Sequence, residues 1–360
     1  MRRIVILAVG IMVALLARGQ AQSRNLDIYW IDVEGGAATL IVAPTGESML
    51  IDTGWETDGR DAKRIMAAAS QAGLKKIDHL VISHYHGDHV GGLPALSKQI
   101  PIDRFYSRGD NVEPVNQKWY DNLKTASGGR TRTVKAGDRI SFGGAEALIV
   151  TSNEKVIDTP VKGGGPNPLC ADAERKTSAG LENSGVVGLR LSYGRFTFLD
   201  LIDLDWHQEM ELTCPVNKLG TVTVFQTDRH GSWDGAGAPA FLGAIKPQVV
   251  VFNNGPKKGL GQAQVDADAK ATTPAGAKVQ PYERNGYARA AALPGIEGIW
   301  QAHLSLLDQD PKHNTSRDMI ANLEDTTDCK GNWIKASVAP DGKFTITNGR
   351  NGFSKMYAAR

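Results

Sequence analysis

Cysteine is scarce in this chain, with three residues, Cys170, Cys214 and Cys329, among 360. That is too few for a disulfide scaffold. One bridge is the most the count allows, and Cys170 with Cys214 is the expected pair, since both fall in loops leading to or from the same predicted strands. Charge of one sign is lacking as well. The 41 basic and 39 acidic residues leave a formal net charge of +2, so no global field concentrates a polyanion and no strong nucleic-acid affinity is expected. No segment has the charge-rich, aromatic-poor profile of a disordered chain, and a hydrophobic content of 41% is enough for a sizeable core. No apolar run reaches the roughly 20 residues that span a bilayer. The longest, Ile4 to Ala17, follows Met1-Arg2-Arg3 and precedes Arg18-Gly19-Gln20-Ala21, the basic, apolar and small-residue order of a secretory signal. Residues 1–21 are therefore expected to be removed by cleavage near Ala21, leaving a secreted or periplasmic protein with no stable membrane anchor. Removal takes away Arg2, Arg3 and Arg18 and no acid, which turns the +2 into −1.

What is present alternates between strand and helix signals. Leu26 to Val33, Ala38 to Val42 and a third run ending at Ile51 read as an antiparallel meander, punctuated by Gly35-Gly36 and Pro44-Thr45-Gly46. Asp61 to Leu74 carries apolar residues at helical spacing with Gly73 near its end, and Asp78 to Ile82 is a short apolar strand. A helix is expected over Gly91 to Leu96 and a strand over Ile102 to Tyr106; residues 107–135 and 152–184 read as loops. The second half repeats the alternation, with strands near 186–193, 196–201, 221–225 and 248–252 and helices near 206–212 and 239–245. Two sheets packed face to face with helices outside follow from that order. Residues 256–285 read as an exposed excursion. Near the C-terminus, Pro340-Asp341-Gly342 joins two strands as a hairpin. The expected organisation is a signal over 1–21, a main unit over 24–285 and an extension over 286–360 packed on it.

The informative segment is His84-Tyr85-His86-Gly87-Asp88-His89, directly after an apolar strand. Three imidazoles and a carboxylate within six positions form a donor set that zinc and similar borderline cations accept. A loop, unlike a helix, can turn all four inward, and Gly87 removes a Cβ where the chain must bend. The pattern His84-x-His86-x-Asp88-His89 resembles the H-x-H-x-D-H signature of the metallo-β-lactamase superfamily, and the resemblance extends over roughly residues 26 to 255. It implies an α/β, four-layer αββα sandwich. Leu50-Ile51-Asp52-Thr53-Gly54 is similar to the family's first motif, which implies that Asp52 supports the ligand loop through hydrogen bonds without binding metal. Phe198 to Leu204 resembles the strand end that supplies a bridging aspartate. Asp203 is assigned to that role; Asp200, on the strand, and Asp205, at a helix start where an acid is often a cap, are its rivals. Thr227-Asp228-Arg229-His230-Gly231-Ser232 resembles the His-His-Gly-Ser turn of the competence-protein branch, with Arg229 in place of the first histidine. His230 is then a ligand and Arg229 an anion contact.

One departure from the wider family bears on stoichiometry. Residues 90–202 contain no histidine, so the family's usual third imidazole for the first metal is lacking, as it is in the competence-protein branch. The His84/His86 ion would rest on Asp203 and solvent besides, whereas Asp88, His89, Asp203 and His230 would hold the other more tightly. The resemblance implies a metallo-hydrolase with one or two zinc ions, or manganese, whose nucleophile is metal-bound hydroxide, with Asp88 orienting or deprotonating that water. The expected substrate is a small-molecule or anionic ester, a phosphodiester first, with Asn183 and Lys257 (or its neighbour Lys258) as further contacts. A β-lactamase or lactonase, and a non-catalytic secreted metal-binding protein, are the alternatives. His303 is read as structural, His79 as packed, and His207 and His313 receive no role.

Overall fold

The computed structural model describes residues 25–360 except 179, 233–234, 263–270, 273–277, 280 and 309. The expected signal over 1–21 and much of the excursion over 256–285 lie outside the described residues. Two large sheets form the molecule. The first runs, edge to edge, through Ser354–Ala358, Lys343–Asn348, Ile334–Val338, Leu26–Trp30, Thr39–Val42, Ser48–Ile51, Ile77–Val81, Ile102–Ser107 and Thr131–Thr133. The second runs through Ile320–Asn322, Gly298–His303, Val249–Phe252, Val224–Gln226, Phe196–Asp200, Gly188–Tyr193, Ala145–Ser152 and Arg139–Phe142. Each sheet has an antiparallel part and a parallel part. Ser48–Ile51, Ile77–Val81 and Ile102–Ser107 pair in parallel in the first sheet. Phe196–Asp200, Val224–Gln226, Val249–Phe252, Gly298–His303 and Ile320–Asn322 do so in the second.

Alternation along the first strands explains the layering. Leu26, Ile28 and Trp30 point into a core shared with Leu189, Leu191, Phe198 and Phe225 of the second sheet, and Trp30 meets Phe198 edge-on at 5.6 Å. The intervening Tyr29 and Ile31 face the other way, onto Ala62, Ile65, Ala68 and Ala69 of helix Arg60–Gln71, four positions on one helical face. That helix stops where Gly73 takes φ +75, a left-handed residue at the C-terminal end. Helices Trp206–Thr213 and Pro239–Ile245 cover the second sheet, with Phe225 against Phe241 at 5.6 Å. The result is an αββα sandwich.

Several local expectations are corrected. The span 107–135 contains helix Gln117–Ser127 and strand Thr131–Thr133. Of the helix, Leu123 and Ser127 are the buried residues, so its polar composition hid it. The helix expected over Gly91–Leu96 is a single turn, Leu93–Leu96, and an unexpected one-turn helix, Gly87–Val90, precedes it. Asp88 and His89 thus sit on a turn of helix and not on an irregular loop. Gly87 is required for a different reason from the one expected: a Cβ there would come within 2.7 Å of the Trp119 ring. The C-terminal residues contribute strands to both sheets, where Ile334–Val338 pairs with Leu26–Trp30 and Gly298–His303 pairs with Val249–Phe252. Cys170 and Cys214 form a disulfide with Cα atoms 5.6 Å apart. Among the described residues, no helix is long and apolar enough to cross a membrane.

Candidate metal centre

Parallel strands all end on the same side of their sheet, and loops leaving those ends are placed beside one another. Asp52 follows Ser48–Ile51, the His84-to-His89 segment follows Ile77–Val81, Asp203 follows Phe196–Asp200, and His230 follows Val224–Gln226. Four chain segments far apart in sequence are therefore delivered to one rim. The turns there are strained: Asp52, Ile202, Arg229 and His230 take φ of +59, +60, +50 and +57, and a left-handed non-glycine residue costs about 1–3 kcal/mol. Ile202, β-branched and fully buried, is the least suited to that conformation. Its turn aims Asp203 inward.

Asp88, His89, Asp203 and His230 converge, all buried. His89 Nε2 lies 3.3 Å from Asp88 Oδ2 and 3.5 Å from Asp203 Oδ2. His230 Nε2 lies 3.4 Å from Asp88 Oδ2 and 3.2 Å from Asp203 Oδ1. A tetrahedral zinc ion with nitrogen and oxygen ligands at about 2.0–2.2 Å separates its donors by about 3.3–3.6 Å, so the four spacings fit one ion. Among the described residues, the Nε2 atoms of His89 and His230 and Oδ1 of Asp203 are buried without a hydrogen-bond partner, a costly arrangement unless something fills the space between them. Charge agrees with that reading. Burial pushes the Asp88 carboxyl up, but His89, Lys258 and His230 outweigh it and hold it well below the usual carboxylate range. Asp203 is likewise held low, against burial, by His230 and His89. His89, pulled down by burial, is driven well above its ordinary value by Asp88, Asp203 and Asp52. The centre thus gathers positive charge, and the donor set fits a divalent cation.

A second trio, His84, His86 and Asp203, shares the bridging aspartate. Here His84 Nε2 and His86 Nδ1 are hydrogen-bonded to each other at 2.9 Å. Burial and the neighbouring His89 and His86 keep His84 well below its ordinary pKa, hence neutral and able to ligate.

Partners around the donors fix their orientation. Asp52 accepts from Ser83 N at 2.8 Å, Ser83 Oγ at 2.6 Å and His89 Nδ1 at 2.7 Å. Engaging Nδ1 leaves Nε2 of His89 to face the centre. Asp200 and Asp205 turn away: Asp200 Oδ1 accepts from Gln226 Nε2 at 2.7 Å, and Asp205 caps helix Trp206–Thr213 by accepting from Gln208 N at 3.0 Å. Lys257 is not at the centre; it is mostly exposed and paired with Asp325. Its neighbour Lys258 is the lysine that reaches in, bonded to Asp88 Oδ2 with its ammonium 4.7 Å from the Trp55 ring centre. Arg229 is buried beside His230 in the 228–231 turn. Asn183 lies in the turn Leu181–Ser184 with its Oδ1 buried and unpartnered.

Sequence reasoning missed Glu182 and Arg108. They form a buried ion pair at 2.6 Å, and Glu182 Oε1 also accepts from Tyr85 N at 2.6 Å, between the two histidines of the trio. A buried acid beside Asn183 carries no local signal of this; its basic partner is more than 70 positions away.

This architecture, with its donor run at the end of a parallel strand, is the metallo-beta-lactamase fold. The family model described as the metallo-beta-lactamase superfamily matches residues 31–173, which carry Asp52 and the His84-to-His89 run. A metal-dependent hydrolase of Cupriavidus taiwanensis is 32% identical over 83 residues, 23% of this chain and 27% of that protein. A hydroxyacylglutathione hydrolase of Stenotrophomonas maltophilia is 34% identical over 101 residues, 28% of this chain and 31% of that protein. The chain thus spans between about a quarter and a third of the length of these curated relatives. The solved structure of the metallo-beta-lactamase fold protein YhfI from Bacillus subtilis overlays with a TM-score of 0.43 at 10% identity, over 78% of this chain and 97% of that one.

Proposed function

We propose that this chain is an exported metal-dependent hydrolase that cleaves a small anionic ester, with phosphodiesters as the first substrate class. The observation that carries the reading is the spacing of Asp88, His89, Asp203 and His230, whose inward-facing atoms lie 3.2–3.5 Å apart with no hydrogen-bond partner among the described residues for His89 Nε2 or His230 Nε2. Those four side chains would hold one ion, and His84, His86 and Asp203 a second. Zinc suits the nitrogen and carboxylate donors, with manganese as the next choice. When bound, such a dication lowers the pKa of water from about 15.7 to about 7 and polarises the ester oxygen.

The chain's own groups supply the rest. Asp88 would accept a hydrogen bond from the attacking water and orient it for attack. Lys258, bonded to Asp88 Oδ2, brings an ammonium within reach of an anionic substrate oxygen, and its position over the Trp55 ring keeps it at the rim. Arg229, next to His230, adds a second cation at the same turn, and Asn183 offers a polar contact. The resemblance of the His230-Gly231-Ser232 turn to the competence-protein branch favours phosphodiesters. Export is supported by the Cys170–Cys214 disulfide, which persists in oxidising compartments.

Purified protein loaded with zinc or manganese is to be assayed on bis-p-nitrophenyl phosphate, nitrocefin and a simple lactone. Cleavage of the phosphodiester is expected. Turnover of nitrocefin or the lactone alone would move the protein to the β-lactamase or lactonase class, and no turnover by fully metallated protein would favour a metal-binding role without catalysis.

A further inference from the structure

A second group of metal-ligating side chains lies apart from the centre above. Asp32, in the turn after Leu26–Trp30, His303, the last residue of Gly298–His303, and Cys329, in the segment leading to Ile334–Val338, bring one donor atom each within 4.8 Å of one another. Asp32 and His303 are buried, and Cys329 is partly so. The geometry points to a thiolate–imidazole–carboxylate site for a thiophilic divalent cation, zinc foremost, that clips the two sheets together at this end of the sandwich.

Three observations support it independently of the sequence motif. His303 Nδ1 is engaged by the Leu304 carbonyl at 3.2 Å, while Nε2 faces Cys329 Sγ at 3.9 Å. A ring whose Nδ1–H donates to a carbonyl presents an Nε2 lone pair, the tautomer a metal requires. Tetrahedral zinc, with sulfur at about 2.3 Å and nitrogen at about 2.0–2.1 Å, separates those donors by about 3.6 Å, so little movement is needed. Asp32 Oδ1 is already used, accepting from Glu34 N at 2.8 Å, but Oδ2 is buried without any partner. Among the described residues no group satisfies that oxygen, whereas a cation between it, Sγ and Nε2 would.

The surroundings tolerate added positive charge. Arg64 donates to the main-chain carbonyls of Asp32 and Cys329, but its charge is matched by Glu34 at 2.9 Å. Cys329 and Glu34 also line an open surface groove, which leaves an entry path. Chain topology gives the site a purpose. Asp32 belongs to the first sheet and His303 to the second, while Cys329 lies on the connection from one to the other. His303 also fixes the segment that carries Lys258, because its carbonyl accepts from Asn254 Nδ2 at 2.8 Å. A clip here would steady the rim on which the main centre is built. Three protein ligands leave a fourth position for water.

Cobalt(II) added to metal-stripped full-length protein tests this. Cys170 and Cys214 are bridged and the main centre holds no sulfur, so a thiolate-to-cobalt charge-transfer band in the near ultraviolet reports Cys329 alone. The band is expected in the wild type and in Asp203→Ala, whose main centre is impaired, which separates this site from the hydrolase reading. It should vanish in Cys329→Ser, with one equivalent of cobalt lost, and weaken in Asp32→Asn, which keeps the acceptor for Glu34 N. No band in the wild type, or an undiminished band in Cys329→Ser, overturns the proposal. A second measurement needs no variant: zinc should slow alkylation of Cys329 by about tenfold or more, because coordination removes the free thiolate, and a chelator should restore the rate. Alkylation at the same rate with and without zinc also overturns it.

Discussion

The two halves of the main centre share Asp203 yet are built differently. One half has four donors from three strand ends, and its atoms stand apart at the spacing an ion imposes. The other has His84, His86 and Asp203, and its two imidazoles close on each other at 2.9 Å. Their supports differ as well. Asp52, a buried carboxylate from the neighbouring parallel strand, holds His89 in the four-donor half. Glu182, from a loop of the opposite sheet, holds the backbone between His84 and His86 in the three-donor half. Donors already standing apart bind an ion without first being separated from one another, so the four-donor half should fill first and the three-donor half only at higher metal concentration.

The sharpest way to break that comparison is the shared residue. Asp203→Ala should empty both halves, removing the ions of the main centre and taking hydrolysis to background, as measured by elemental analysis and turnover of the phosphodiester; an undiminished metal content would show that Asp203 bridges nothing. Next in size is the contrast between His230→Ala, expected to lose the tightly held ion and activity together, and His86→Ala, expected to lose only the weaker ion. Equal losses in the two variants would mean the halves are not distinct. The supports should follow. Asp52→Asn should lower metal affinity of the four-donor half about 10–100-fold, the range for groups that orient a ligand, with unfolding by urea little changed. Glu182→Ala leaves Arg108 as a buried unpaired charge and should destabilise the protein by about 3–5 kcal/mol, and the surviving folded protein should bind the second ion more weakly than the first. The smallest effect belongs to Lys258→Ala, which should raise KM for an anionic ester about tenfold, a loss of roughly 1.4 kcal/mol, with a neutral ester unaffected.

Legibility followed how local each signal is. The donors at 84, 86, 88 and 89 lie within six residues and could be read directly, and the apolar runs Leu26–Trp30 and Thr39–Val42 could be read as strands. Helix Gln117–Ser127 was not readable, because its buried side is little more than Leu123 and Ser127 and the rest is polar. Lys257 and Lys258 are chemically identical neighbours. The turn after Val249–Phe252 sends one toward Asp325 and the other toward Asp88, a choice that depends on backbone direction and not on composition. Asp200, Asp203 and Asp205 pose the same problem. The left-handed Ile202 between them decides which carboxylate points to the rim.

Composition and spacing by themselves determined that this chain would fold around paired strand patterns and that one short run would offer nitrogen and oxygen donors to a cation. Residue type and sequence interval are local properties, and both were enough for that. Only the tertiary structure decided which distant groups complete the centre, that Glu182 and Arg108 brace it, and that Asp32, His303 and Cys329 meet at all. The reason is that parallel pairing gathers the ends of strands separated by up to hundreds of residues, and a meeting of that kind leaves no trace in any window of the sequence.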